Sequence, residues 1–443
     1  MKRVLRSLTW LITVIIVLSA CSSGTGNSGA SPSGTNDSEA SPTGTVQEEA
    51  KNVKLTFSFW GNDNHKQTLT DIAAKFTEQN PGITVEFMNI PFNDYQQKLS
   101  IMLASRTAPD LGWLSDTMIP QFLESGQLLD VSAVKEDASY NFDDLFPATL
   151  EPLTKDGQLH GIPFSTPPTM IFYNKTLFQQ KGLKTPTELY KEGNWTYEEM
   201  RKAALALTDP AQGIYGVKLV REWKTWSSAV YSIVRAYGAN VLSKDGTMFE
   251  LNSPEGRQAI QLYYDMIFKD EVHPKPGDQL TFESGKLAMF RDVYSSVTNA
   301  RAITDFEWDV APMPSGPNGS GNWIGFAGYT VFKDTKHPEE AMAFLKFVSN
   351  EQSMSSTSKF FVPSRKSVLQ SDAFMKAGEL PTQEGIQTAV LDQMGTVEGL
   401  PLHKNWQKID TKMQTLFDYL YTQSASVEDV LASMEEEVTP LLE

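Results

Sequence analysis

The sequence predicts an α/β protein with two lobes, built on a mostly parallel sheet with helices packed against it. Three observations carry that prediction. Between residues 54 and 114, strand-like and helix-like stretches alternate, which is the pattern of a doubly wound sheet. The chain of 443 residues is too long for one such unit. Helical patterns then recur as far as residue 348 with no internal repeat.

KLTFSFWG (54–61) alternates Leu55, Phe57 and Phe59 and stops at a glycine, so it reads as the first strand. Leu69, Ile72, Ala73 and Phe76 recur at helical spacing and end at NPG (80–82), a stop signal. ITVEF (83–87) is the second strand. Tyr95, Leu99, Met102 and Leu103 mark one face of a second helix, and APDLGWL (108–114) is a short third extended piece. Helical patterns return at 195–207, 228–237 and 254–268. In the last of these Ser253 is placed to cap, Pro254 takes the first helical position and Glu255 faces the positive helix end. HPEEAMAFLKFV (337–348) repeats that grammar and should bury Ala341, Phe344, Leu345 and Val348.

Before the fold comes a leader. Lys2, Arg3 and Arg6 precede an apolar stretch from Leu8 to Leu18, about eleven residues, which is too short to span a bilayer but suits a signal peptide. Leu18-Ser19-Ala20-Cys21 resembles the bacterial lipobox, in which the cysteine is acylated and the peptide is cut before it. Cys21 is the only cysteine, so no disulfide forms within one chain. Residues 22–49 are rich in Ser, Gly, Thr and Pro and lack the apolar residues that offset chain entropy, so they read as a tether. Cleavage would remove three bases and no acid, taking the formal charge from -16 to -19. An acidic chain without a Lys/Arg block argues against nucleic acid as a partner.

Motifs for bond-making chemistry are missing. The five histidines are scattered, without a zinc-ligand spacing. There is no GxSxG elbow. FESGKLAMF (282–290) has the Gly-Lys of a phosphate loop without its upstream glycine or following Ser/Thr, and GSGNWIG (319–325) misses the dinucleotide spacing by one residue. No cofactor or metal is expected. A glycosidase carboxylate pair stays open, because its separation is invisible in a sequence.

The tryptophans are more informative. Trp60 closes the first strand and Trp113 the third, and ligands of open α/β sheets sit beyond the carboxyl ends of strands. A flat apolar ring with an N–H edge suits the CH-rich face of a sugar, with Asn62, Asp63 and Asp116 placed to take its hydroxyls. The alternative for each tryptophan taken alone is a partly buried core anchor. Asp116 is equally readable as a cap for the MIPQFL helix. Trp195 reads as a hydrophobic staple beside the cap Thr196.

Nine pieces together resemble the extracellular solute-binding proteins of bacterial ABC importers, the family that includes the maltose-binding protein. They are F-x-x-x-NP-x-I-x-V (76–85), KLSIMLASRTAPDL (98–111), SGQLLDV (125–131), HGIPF (160–164), IFYNKTLFQQKGL (171–183), FESGKLAMF, WDVAPMPSGP (308–317), HPEEAMAFLKFVSN and VPSRKSV (362–368). The resemblance implies the periplasmic-binding-protein-like fold of type II, two α/β lobes around a ligand cleft. It places residues 51–168 and 329–362 in the N-terminal lobe and 172–326 and 366–443 in the C-terminal lobe, behind a signal peptide (1–20) and a lipidated tether (21–50). Crossovers would fall near 168–172, 325–330 and 361–366. By position, the family's cleft residues fall on Trp60, Asn62, Trp113, Asp116, Ser165 and Trp226, with Tyr294 after FESGKLAM and Gly325 and Phe326 in GFAG. That last motif departs from the family's Gly-Gly pair, which loosens the assignment there. Arg365 is either a ligand contact or a lobe-to-lobe salt bridge, and Trp406 has the right residue type without a motif around it. The implied function is capture of a carbohydrate by a membrane-anchored, monomeric, extracytoplasmic lipoprotein that delivers it to an ABC permease, without catalysis. A non-sugar solute, a sensory lipoprotein and a surface-anchored carbohydrate-active enzyme are the competing readings.

Overall fold

The computed structural model describes residues 52–220, 226–275, 277–395, 399 and 403–443, with the side chains of 226–228 excepted. The leader, Cys21 and the tether lie outside the described residues. Among the described residues no helix is long and apolar enough to cross a membrane.

The first lobe is organised by a five-stranded sheet. Strands β1 (Val53–Phe59), β2 (Ile83–Asn89) and β3 (Leu111–Ser115) are parallel, with β1 between the other two. Helices α1 (Asp63–Gln79) and α2 (Phe92–Ala104) make the crossovers. Leu55, Phe57 and Phe59 are fully buried, and Leu69, Ile72, Ala73 and Phe76 of α1 pack over them as the sequence predicts. The short helix α3 (Ile119–Glu124) follows β3. Strand β4 (Ile162–Ser165) completes this sheet from the far side, separated from β3 by a later strand.

Three residues after β4 the chain enters a second sheet as β5 (Thr169–Asn174). Helices α4 (Tyr197–Leu207), α5 (Trp226–Ala236) and α6 (Pro254–Phe268) follow, then β6 (Met289–Val293) and β7 (Trp308–Pro312). Both β6 and β7 pair with β5 antiparallel. Strand β8 (Ala327–Val331) then returns to the first sheet and lies antiparallel between β3 and β4. In the second sheet β5 is reversed against both neighbours, while β6 and β7 share one direction and residues 215–218 bridge β6 in the parallel sense. The cause is topological. In each sheet the reversed strand is the one that brings the chain in from the other lobe, and in the three-stranded sheet it sits in the middle. Strands β6 and β7 run in the same direction as each other, as do β3 and β4.

Helix α7 (Pro338–Val348) buries Ala341, Phe344, Leu345 and Val348 against the first sheet, as its spacing predicts. Helices α8 (Trp406–Tyr421) and α9 (Val427–Val438) pack with α6 in the second lobe. Caps follow the sequence reading: Ser253 accepts from Gly256 N–H, with Pro254 at the first helical position, and Thr196 accepts from Glu199 N–H. The Trp195 indole is buried and donates to the Pro312 carbonyl at 2.9 Å.

The passages between sheets lie side by side. Gly325 N–H donates to the Pro167 carbonyl at 2.8 Å and Thr169 N–H to the Trp323 carbonyl at 3.2 Å. Thr166 N–H donates to Val362 of the third passage at 3.0 Å. That third passage reaches beyond residue 366, because Val368 still packs in the first lobe while Val362 and Leu369 pack in the second.

A candidate solute site on the sheet rim

The carboxyl ends of β1, β2, β3 and β4 lie on one rim of the first sheet, and the start of β8 lies among them. Register places Ala327 beside both Ser115 and Ser165, so these three backbones share one row. Neighbouring strands are about 4.8 Å apart, so the rim from β2 to β4 runs for roughly 19 Å.

Trp60 leaves β1 at the centre of an aromatic group. Its ring is partly buried and meets Tyr95 at 5.0 Å, Trp113 at 5.2 Å and Phe92 at 5.4 Å, each near edge-on. Tyr95 is fixed from below: its hydroxyl shares a 2.6 Å hydrogen bond with Ser58 Oγ and donates to the Ser58 carbonyl at 3.1 Å. Gly112 gives this pair room, since a Cβ there would collide with Ser58 Oγ. Trp113 itself is 1% exposed and packs against Phe59, Phe164 and Phe361, so it is the buried backing of Trp60.

The turn out of β1 needs Gly61. Its φ of +141° favours glycine, and a Cβ would meet the His65 ring at 3.0 Å. Asn62 caps α1, its side-chain oxygen accepting from the N–H groups of Asn64 (3.1 Å) and His65 (3.3 Å) and meeting His65 Nδ1 at 2.7 Å. Burial, with Lys359 adding to it, holds the His65 imidazole down at about 4, so it is neutral. Asp63 is exposed in the first turn of α1.

Asp116 lies just beyond β3. Its N–H donates to the Phe326 carbonyl at 3.0 Å and its Oδ1 accepts from Thr117 N–H at 2.8 Å. It does not cap the following helix, whose N-cap is Met118. Burial pushes its carboxyl up to about 7, against the stabilising N–H of Thr117. Ser165 is buried at the end of β4, and Phe326 is 9% exposed at the entry to β8, beside Gly325. Trp60, Asn62, Asp63, Asp116, Ser165, Gly325 and Phe326 thus gather along one rim or at its passages, with Trp113 beneath.

The remaining candidates are elsewhere. Arg365 is fully buried within the first lobe. Its guanidinium donates to the carbonyls of Ser349 (2.9 Å), Asn141 (2.9 Å) and Tyr140 (3.0 Å), meets Asp144 at 3.5 Å and lies over the Tyr140 ring. Those partners make it an internal tie of that lobe, neither a bridge between lobes nor a surface contact. Tyr294 follows β6 but is fully buried against Phe374, its hydroxyl accepting from Arg301 at 3.3 Å. Trp406 is 3% exposed in the core of the second lobe. Trp226 opens α5, and its side chain lies outside the described residues.

Sequence reasoning missed Phe92, which is 45% exposed beside Trp60. Its position directly after the second strand, through IPF, was the available signal. Among the described residues no group of three or more His, Cys, Asp or Glu could hold a metal ion.

Residues 62–355 match the model of the family described as bacterial extracellular solute-binding protein. Among curated proteins, the maltodextrin-binding protein MdxE of Bacillus subtilis (strain 168) is 24% identical over 301 residues, 65% of this chain and 68% of that protein. Among solved structures, an ABC substrate-binding protein of Listeria monocytogenes in complex with cycloalternan superposes with a TM-score of 0.79 at 24% identity, covering 88% of this chain and 99% of that one. UgpB of Mycobacterium tuberculosis in complex with glycerophosphocholine superposes with a TM-score of 0.76 at 18% identity, covering 87% and 98%. These likenesses identify the two-lobed type II fold.

Proposed function

The chain belongs to the family of bacterial extracellular solute-binding proteins, and on that premise we propose that it captures a carbohydrate for an ABC importer. This is binding without catalysis: the family is one of solute-binding proteins, not of enzymes. The observation that carries the sugar reading is the Trp60 ring, held partly exposed on the rim by Tyr95 and Trp113, with Asn62 and Asp63 in the turn after it and Asp116 just beyond the neighbouring strand β3. Apolar rings bordered by polar groups meet the alternating CH and OH surfaces of a sugar.

In this reading the sugar draws the two lobes together, because contacts made by both lobes exist only in the closed form. A micromolar affinity corresponds to about -8 kcal/mol, within reach of stacked rings and several hydrogen bonds. Closed, loaded protein then docks on a membrane permease, while Cys21, acylated, and the tether after it keep the lobes at the outer face of the membrane. The maltodextrin relative and the cycloalternan complex support a sugar. The glycerophosphocholine complex keeps a second class of solute in the same fold, and aromatic rings beside carboxylates suit its cationic head as well.

A thermal-shift screen over mono- and oligosaccharides, with glycerophosphocholine as the counter-candidate, tests the solute. A tight ligand raises the melting temperature by mass action. A sugar is expected to shift it; a shift with glycerophosphocholine alone would replace the carbohydrate reading. Cys21→Ser, expressed in a bacterial host, should release soluble protein with unchanged solute affinity, and retention at the membrane would refute the anchor.

A further inference from the structure

His65 stands where two parts of the molecule meet. On one side it holds the turn that carries Trp60. Asn62 N–H donates to its Nδ1 at 3.2 Å, Asn62 Oδ1 meets the same nitrogen at 2.7 Å, and a Cβ on Gly61 would come within 3.0 Å of the ring. On the other side the buried ring meets Phe360 at 4.8 Å and Phe361 at 5.2 Å, the two residues before Val362 in the third passage.

The residue type is informative. His65 is the third residue of α1 and completes a capping box with Asn62. Such a box is ordinarily completed by Glu or Gln, whose side chain reaches back to the N–H of the cap. Histidine makes the same bond and adds a ring, and the ring is what touches the third passage.

That passage is held from the other lobe as well. Arg301, which follows β6 in the second lobe, donates from Nη1 to the Lys359 carbonyl at 2.5 Å and from Nε to the Leu380 carbonyl at 2.9 Å. Phe360 and Phe361 pack in the core of the first lobe and Val362 in that of the second, while the Val362 carbonyl accepts from Thr166 of the first passage. An unbroken run of contacts therefore leads from the Trp60 turn through His65, Phe360 and Phe361 to the Lys359 carbonyl and Arg301.

We propose that His65 is a positioning residue for lobe closure, coupling the turn that carries Trp60 to the third passage, with Arg301 as the anchor of that passage on the second lobe. This rests on lobe closure as the mode of capture and not on the class of solute. Packed side chains have discrete arrangements and do not deform continuously. A solute that fixes the Trp60 turn therefore favours one arrangement of Phe360 and Phe361, and with it one angle of the passage.

The test is hydrogen exchange of the full chain without solute, read by mass spectrometry over residues 61–66 and 358–364. His65→Gln keeps the cap bond and removes the ring. It should leave the melting temperature close to wild type and speed exchange over 358–364 roughly tenfold. His65→Phe keeps a ring and loses the cap bond, so it should loosen 61–66 and leave 358–364 near wild type. Coupling is reciprocal, so Arg301→Gln should loosen 61–66 from the far end, also roughly tenfold, with Arg301→Lys milder because it keeps a donor for the Lys359 carbonyl. A role confined to capping makes His65→Gln silent over 358–364. That result, a rise spread evenly over the whole first lobe, or residues 61–66 untouched by Arg301→Gln overturns the coupling. Because no solute is added, failure of the carbohydrate reading leaves this test standing, and failure of the coupling leaves the solute screen untouched.

Discussion

Asp116 shows how one residue can join the fold to the site. Its backbone N–H holds the entry of β8 through Phe326, while its carboxyl sits in a place where ionisation is costly. A carboxyl raised from 3.8 to about 7 stabilises the fold fully below pH 3.8, where both states are protonated. As the pH rises, the unfolded chain releases its proton first, so this contribution is lost progressively and is gone above about 7. His65 and His273 act in the opposite sense: burial holds each imidazole at about 4 against 6.5, so their contribution is lost as the pH falls from 6.5 through 4. Asp116→Asn separates these effects. The melting temperature of the variant relative to wild type should climb between pH 4 and 7.5, read by calorimetry at several pH values. A difference that stays flat would mean that Asp116 ionises as an ordinary exposed carboxylate. Arg365 makes the contrasting case of a buried charge whose role is internal. Three carbonyls and Asp144 satisfy it, so it orders the chain around Tyr140.

At the scale of elements, local pattern and long-range pairing separate cleanly. Strand β1 and helices α1, α6 and α7 were legible because one apolar face repeats at fixed spacing and a proline, glycine or cap residue ends each run. The reversal of β5 and β8 was not legible, since it depends on partners far away in the chain: Tyr329 pairs with Trp113, and Ile171 with Ala311. The same gap explains the tryptophans. That Trp60 and Trp113 belong to one rim follows from strand ends, but which of them is open depends on Phe164 and Phe361, which cover Trp113 from a later strand and a later passage. Tyr294 has the residue type of a stacking group, yet Phe374 covers it from a segment with no sequence link to it. Phe92 escaped notice for the opposite reason. A phenylalanine at the start of a helix reads as one more core residue, and its place directly after the second strand gains meaning only from the ring contacts beside an open surface.

For the whole molecule, the decisive feature is that the passages between lobes are hydrogen-bonded to one another instead of running separately. On the proposed function, a closing motion is absorbed by few backbone angles near Thr166, Gly325 and Val362, and the open and closed forms differ by only a few kcal/mol so that a solute can shift them. Gly325 offers a direct test, because nothing in the static fold requires a glycine there. A Cβ would sit 3.4 Å from the Pro167 carbonyl oxygen and 3.5 Å from the Trp323 ring, ordinary contact distances, and φ is not positive. Gly325→Ala should therefore raise stability by roughly 0.5 kcal/mol through the unfolded chain, seen as a small gain in denaturation midpoint. Motion is a different matter, since alanine narrows the φ/ψ range open to residue 325 during closure. Stopped-flow tryptophan fluorescence with the sugar found in the screen should then show a slower closing phase in the alanine variant. Equal stability gain with an unchanged closing rate would move the hinge away from Gly325, to Thr166 or Val362, where the neighbouring passages are tied together.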